Sequence, residues 1–190
     1  QRQMCIRDRF RMVTDFGALN RYIRKKPTAQ PTIQDVKKAL AKAKFHCHLD
    51  LSNFFHQSGM KRQDCAYLGV QHPFKGVMVY TVEPQGLRNA GENSFEKLGR
   101  MLGDMIQEGK AARMADAVHA LGNTVDELYE NLKEILTRAK LSGFTFKPSK
   151  LIICPKKTTL FGWTLDGTKW SPNTHVITTL SKAELPSTVK

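Results

Sequence analysis

The stretch Leu49-Asp50-Leu51-Ser52-Asn53-Phe54-Phe55-His56-Gln57 decides the reading of this chain. Just before it, Phe45, Cys47 and Leu49 alternate with His46, His48 and Asp50, the period of a half-buried strand. That period sets Asp50 on one polar face with both histidines. A second aspartate, Asp116, lies in Met114-Ala115-Asp116-Ala117-Val118-His119-Ala120-Leu121-Gly122, a short alternating segment whose alanines make it a weak strand. Between the two, Pro84-Gln85-Gly86 reads as a turn. Carboxylates on neighbouring strands can hold Mg²⁺ against a triphosphate. This hard ion takes one or two carboxylates and keeps the rest of its shell for substrate oxygens and water. Asp50 and Asp116 are therefore expected on adjacent strands, with Cα atoms within roughly 10 Å. His46, His48 and Asp50 also suggest a two-histidine, one-carboxylate iron or zinc site. Side chains two apart on a strand splay too widely for that, and polar residues on the cleft side of a strand account for them better.

A chain of 190 residues, 41% apolar and 25% charged, can bury a core as one domain or two subdomains. Its net charge of +13 points to a polyanionic partner, nucleic acid before an anionic membrane surface. No apolar run approaches the roughly 18 residues of a spanning helix, and no apolar signal segment opens the chain. Cys5, Cys47, Cys65 and Cys154 show no C-x-x-C spacing and no disulfide framework, which fits a reducing compartment. Residues 1–9, Gln-Arg-Gln-Met-Cys-Ile-Arg-Asp-Arg, look like the translation of a sequencing-library adapter and are set aside from fold reasoning. Removing their three arginines and one aspartate still leaves +11. The natural N-terminus is expected to be missing, and the C-terminus stops without a closing signal.

Other elements follow from local pattern. Residues 11–23 read as a short strand and a turn around Gly17, and Pro27 and Pro31 keep the basic connector from Lys25 to Pro31 non-helical. Thr32 caps a helix from Ile33 to Lys42, with Ile33, Val36 and Leu40 on its apolar face and Lys37, Lys38 and Lys42 exposed. Residues 67–80 form two strands about a turn at 72–76, and 90–108 a helix carrying Phe95, Leu98, Leu102 and Ile106. Thr124 and Glu127 open a helix with Val125, Leu128, Leu132, Ile135, Leu136 and Ala139 on one face, and Gly143 closes it. Residues 159–164 and 168–170 make a hairpin about Asp166-Gly167.

From Arg11 onward these motifs are similar, in order and spacing, to the reverse transcriptase of gypsy-type long-terminal-repeat retrotransposons. Arg11-Met12-Val13 with Asp15, Leu19 and Asn20 resembles that family's opening block. Leu49-Asp50-Leu51 with Phe55-His56-Gln57 resembles its first metal motif, and Pro84-Gln85-Gly86-Leu87 with Asn89-Ala90 and Phe95 its template and nucleotide motif. Gly143-Phe144-Thr145-Phe146-Lys147-Pro148-Ser149-Lys150 resembles the basic motif after the palm helix. Leu160-Phe161-Gly162-Trp163 resembles the primer grip.

The resemblance implies an α/β right-hand polymerase core, an antiparallel palm sheet backed by helices, with the thumb truncated. Fingers fall on residues 10–43 and 60–83, palm on 44–59 and 84–165, and the start of the thumb or connection on 166–190. It implies an RNA-directed DNA polymerase in which Asp50 and Asp116 are catalytic, and Asp50, the Leu51 backbone and Asp116 hold Mg²⁺, with Mn²⁺ as a substitute. Arg11, Phe55, Gln85 and Lys150 would contact the nucleotide, Phe55 as a steric gate against the 2′-hydroxyl. Lys147 lies close to Lys150 and competes for its role. Gly162 and Trp163 would hold the primer end. The implied partners are an RNA or DNA template with primer and deoxynucleoside triphosphates, with no membrane, and RNase H and integrase domains in the full polyprotein. The implied location is cytoplasmic, in a retroelement particle, and nuclear.

One position departs from the family. Its third metal motif carries two consecutive aspartates, and here the second is Ala117. A methyl group cannot coordinate a metal, so reduced activity, or a dead descendant that still binds nucleic acid, is expected. An unrelated basic nucleic-acid-binding module is the remaining reading, and it leaves the ordered motifs unexplained.

Overall fold

The computed structural model describes residues 14–182. In chain order it contains α1 (Gly17–Asn20), α2 (Ile33–Lys42), β1 (Phe45–Asp50), α3 (Arg62–Cys65), β2 (Gly69–His72), β3 (Gly76–Val79) and α4 (Ala90–Gln107). It continues with β4 (Ala111–Met114), β5 (Ala117–Gly122), α5 (Val125–Ser142), β6 (Ile152–Ile153), β7 (Lys157–Leu160), β8 (Trp163–Asp166), β9 (Lys169–Pro172) and α6 (Thr174–Ser181). The chain folds into two compact units. One takes the described residues up to Ala29 with Ser52–Arg100, the other Gln30–Leu51 and the described residues from Met101 on.

In the second unit an antiparallel sheet has the order β4-β5-β1-β6. β1 pairs with β5 in the register His46↔Leu121, His48↔His119 and Asp50↔Ala117. One face carries Cys47, Leu49, Val118 and Ala120, all buried, and α5 lies against it. The approach is close: a Cβ on Gly122 would sit 2.5 Å from the Leu128 nitrogen. Thr124 caps α5 by accepting from the Glu127 nitrogen, and Glu127 accepts in return from the Asn123 nitrogen. At its C-terminus Gly143 takes φ +72°, the left-handed conformation that glycine adopts without a Cβ penalty. Arg138 holds α5 to α4 through both carboxylate oxygens of Asp104 and the Met101 carbonyl, and this pairing lowers the Asp104 carboxyl to about 2. On α5, Leu128, Ile135 and Ala139 are buried. Val125 and Leu136, expected on the same face, are exposed, because the apolar stripe is wider than the sheet it covers.

The opposite face was expected to be half-open and is instead covered. Val36 and Leu40 of α2 pack with Ala112, Leu121, Leu160 and Leu165, and Trp170 lies against them. β7, β8 and β9 form the three-stranded meander that completes this layer. β1 is therefore a central strand buried on both sides, and His46 and Asp50 are buried with it. α2 and its Thr32 cap match the sequence reading, with a capping box closed by Asp35. Lys37 does not. It is 9% exposed rather than solvated, because the meander closes over that side of α2. The hairpin expected about Asp166-Gly167 exists as β8–β9, but 159–164 is not one strand. It turns at Phe161 (φ +46°) and Gly162 (φ +80°), separating β7 from β8.

In the first unit, β2 and β3 pair as expected about residues 72–76. The strand expected near residues 11–23 is absent among the described residues. Gly17–Asn20 is a single helical turn, started by the Asp15 carboxylate accepting from the Gly17 nitrogen.

Candidate functional site

Asp50 ends β1, and its residue is 9% exposed. Asp116 does not lie on a strand. It is the second residue of a two-residue turn between Met114 and Ala117, with Ala115 in the left-handed region at φ +52°. A residue with a Cβ costs about 1 kcal/mol or more there, a conformation that tight hairpins need to match strand twist. The sequence reading took Met114 to Leu121 as one weak strand and missed Ala111–Arg113, because alternation alone does not reveal a two-residue reversal. The turn nonetheless sets Asp116 beside Asp50. The Leu51 nitrogen donates to the Asp116 carbonyl at 2.9 Å, and Ala117 stands across from Asp50.

The segment after α5 is stitched to the same end of β1. Leu51 bridges to Phe146, and the Lys147 nitrogen donates to the Asp50 carbonyl at 2.8 Å. A 3₁₀ turn at Pro148–Lys150 then brings the Lys150 ammonium to 2.5 Å from Asp50 Oδ2. Between Lys147 and Lys150, the geometry favours Lys150. The donors at this end of the sheet are two carboxylates and the Leu51 backbone, hard oxygens that suit Mg²⁺ or Mn²⁺. The methyl of Ala117 stands where a third carboxylate would add charge. Among the described residues, no three His, Cys, Asp or Glu side chains are grouped to hold a metal. The His46-His48-Asp50 iron or zinc reading accordingly finds no support.

The histidines do something else. His48 and His119 rings lie 5.0 Å apart and His46 and His119 6.3 Å apart, and His46 shares a hydrogen bond with Thr158 at 2.5 Å. Burial, and then the neighbouring histidines, lower His119 to about 3, and neither of its ring nitrogens has a hydrogen-bond partner among the described residues. Burial lowers His48 as well, against the raising effect of Asp50 and Asp116.

In the first unit, Phe55 lies on a 3₁₀ turn at Phe54–Gln57 that follows Asn53 at φ +42°. Phe54 is the buried ring, 5.3 Å from Phe95, whereas Phe55 is half-buried. Gln85 is half-buried in a loop whose Gly86 takes φ +90°. Asn20 holds that loop at both ends, donating to the Gly86 carbonyl at 2.9 Å and accepting from the Arg88 nitrogen at 2.7 Å. Asn89 fastens the basic connector, accepting from the Lys26 nitrogen and donating to the Arg24 carbonyl. The sequence reading quoted both asparagines within motifs but gave neither a role. It missed Glu83 altogether. This carboxyl is buried and raised by that burial; one oxygen accepts from Asn93 at 2.6 Å and the other has no hydrogen-bond partner among the described residues. A lone glutamate before Pro84 gives no sequence signal of this.

In the second unit, Gly162 lies in the β7–β8 turn, where its carbonyl accepts from the Asn173 nitrogen at 2.8 Å. Trp163 begins β8 and is 36% exposed. Arg11 lies outside the described residues.

The family description "Reverse transcriptase (RNA-dependent DNA polymerase)" matches residues 3–165. Among curated relatives, the chain is 27% identical over 186 residues to the retrovirus-related Pol polyprotein from transposon opus of Drosophila melanogaster, covering 95% of this chain and 18% of that protein. To the corresponding polyprotein from transposon 412 of the same organism it is 24% identical, covering 81% of this chain and 12% of that one. To the transposon Tf2-7 polyprotein of Schizosaccharomyces pombe the identity is 21%, over 85% of this chain and 12% of that protein. The chain thus spans less than a fifth of the length of each of these relatives. Among solved structures, the fold is that of foamy viral protease-reverse transcriptase in complex with RNA/DNA hybrid, at a TM-score of 0.79 and 18% identity over 93% of this chain and 24% of that one. The same protein in complex with double-stranded DNA aligns at 0.80, with 18% identity over 93% of this chain and 36% of that one. With its family match covering residues 3–165, most of the sequence, this chain belongs to the reverse transcriptase family.

Proposed function

We propose that the chain is the polymerase piece of a gypsy-type long-terminal-repeat retrotransposon Pol polyprotein, extending a primer on an RNA or DNA template with deoxynucleoside triphosphates. The observation that carries this reading is the pairing of β1 with β5, which sets Asp50 and Asp116 together with Lys150 on Asp50. Asp50, the Leu51 carbonyl and Asp116 would hold Mg²⁺, or Mn²⁺ in its place. Such ions, when bound, stabilise the attacking 3′-oxygen and the leaving pyrophosphate. Lys150 would exchange its contact with Asp50 for one with the triphosphate and supply charge or a proton to the leaving group. Phe55 would exclude a 2′-hydroxyl, Gln85 would contact the incoming nucleotide, and Arg11 would clamp the triphosphate with its planar donor fork. Gly162 and Trp163 would hold the primer end.

We assign residues 10–43 and 60–83 to fingers, 44–59 and 84–165 to palm, and 166–190 to the start of the thumb. RNase H and integrase domains would belong to the full polyprotein, acting in a cytoplasmic particle and in the nucleus. A second reading, a catalytically silent descendant that still binds primed template, is favoured by one observation, the methyl of Ala117 across from Asp50. Primer extension decides between them. The chain as it stands should extend poorly, and Ala117→Asp should raise the rate in Mg²⁺ by about tenfold or more, the scale of one restored charge-stabilising group. Asp50→Asn should abolish what remains. Extension that stays absent in a folded, nucleic-acid-binding Ala117→Asp variant would keep the silent reading with its lesion elsewhere, and strong extension unchanged by Ala117→Asp would make Ala117 a harmless lineage variant.

A further inference from the structure

Trp163 sits at a turn on the rim of the meander, where an indole with two free side-chain torsions has no reason to keep one plane. Its partner is Lys37. The Lys37 ammonium lies 3.5 Å from the centroid of the Trp163 ring and 5.2 Å from that of Trp170. The Trp170 indole nitrogen donates to the Lys37 backbone carbonyl at 3.1 Å, which ties β9 to α2. Lys37 is 9% exposed, and among the described residues no carboxylate pairs with it. A buried ammonium without a counter-charge is costly. The negative faces of two indoles compensate it, more strongly as water is excluded. This is the opposite of the solvated lysine that the helical pattern implies.

The consequence falls on Trp163. One face of its ring is capped by the Lys37 ammonium, and the residue as a whole keeps 36% exposure. A positive charge behind an indole fixes its plane and offsets the negative quadrupole of its open face. Both effects favour stacking of a nucleotide in a phosphate-rich setting. We propose that Lys37 is a positioning residue for the primer: it holds the Trp163 indole as an oriented, cation-backed platform for the primer's terminal nucleotide. The inference rests on Trp163 being the primer contact, and the experiment separates the two.

The chain has two tryptophans, and because Trp170 also holds Lys37, the Trp163 signal is taken as the difference between the full chain and its Trp163→Phe variant with Trp170 in place. By that difference, binding of a duplex with a recessed 3′ end should change Trp163 emission and shield it from acrylamide. Lys37→Met should brighten Trp163 and weaken the recessed duplex about three- to tenfold. Affinity for a blunt duplex of equal length should change far less, and Lys37→Arg should restore emission and affinity together. Three results overturn the proposal. If Trp163→Ala weakens the recessed duplex selectively and Lys37→Met does not, Trp163 holds the primer without help from Lys37. If Lys37→Met lowers the melting temperature or weakens both duplexes equally, Lys37 is a structural or general charge contact. If neither Trp163→Ala nor duplex binding affects the recessed-end readout, the primer-contact reading fails and this proposal with it.

Discussion

Single residues decide whether this sheet end can do chemistry. Ala115 holds a conformation unfavourable to any side chain, so a β-branched residue there should fail. Ala115→Val should lower stability by about 1–2 kcal/mol, whereas Ala115→Gly should be neutral or mildly stabilising. Denaturant midpoints check both, and equal midpoints for Val and Ala would show the turn to be relaxed. Phe55 makes a different test. In an active Ala117→Asp background, Phe55→Val should raise ribonucleotide incorporation relative to deoxynucleotide by about tenfold, the scale of losing one shape-excluding group. Unchanged discrimination would leave Phe55 a packing residue beside Phe54. Asp50 was legible in the sequence because strand alternation and the flanking motif agree. The turn position of Asp116 was not, since Met114 to Gly122 alternates equally well with or without a reversal. Lys37 was misread because helical periodicity records which side a residue faces and says nothing of a second layer closing over it.

Among the elements, β1 and β5 carry a histidine layer that makes the central sheet acid-sensitive. His119 is buried neutral and lowered to about 3, and burial also lowers His46 and His48. The unfolded chain takes up these protons near the ordinary histidine value of 6.5, while the folded sheet resists. Their contribution is therefore complete above pH 6.5 and declines as pH falls below it, that of His119 down to about 3. Urea midpoints measured from pH 7.5 to 4.5 should decline, and His119→Leu should flatten the part that His119 contributes. An identical slope in that variant would assign the acid sensitivity to other groups. Helices were the most legible elements: α2 and α5 announce themselves through Thr32, Thr124 and Gly143. The meander was less so, because its first turn at Phe161 and Gly162 is set in a run of strand-forming residues that reads as one continuous strand.

Over the whole molecule, the surplus of +13, or +11 without residues 1–9, is expected to govern binding to nucleic acid. Binding to primed template should fall at least tenfold between about 50 and 200 mM salt through counterion release. Fluorescence anisotropy across that range checks it, and a flat response would argue against a phosphate-tracking surface. Charge and motif order made the family legible, because five separated blocks in one sequence rarely arise together. No linker composition marks the crossings near Leu51 and Arg100, whereas the proline-bounded connector at 25–31 spans the one near Ala29; a discontinuous division was expected from the family resemblance and not from composition.

That discontinuity has a consequence during synthesis. β1 emerges from the ribosome early, but its neighbour β5 begins at Ala117, after the inserted stretch Ser52–Arg100 has been translated. At about 5–20 residues per second, the strand that becomes the sheet's centre waits several seconds without a partner. During that interval its apolar side chains and unpaired backbone are open to a holdase or to another nascent chain. Production of this protein should therefore depend on chaperone supply and translation speed more than its finished stability would suggest.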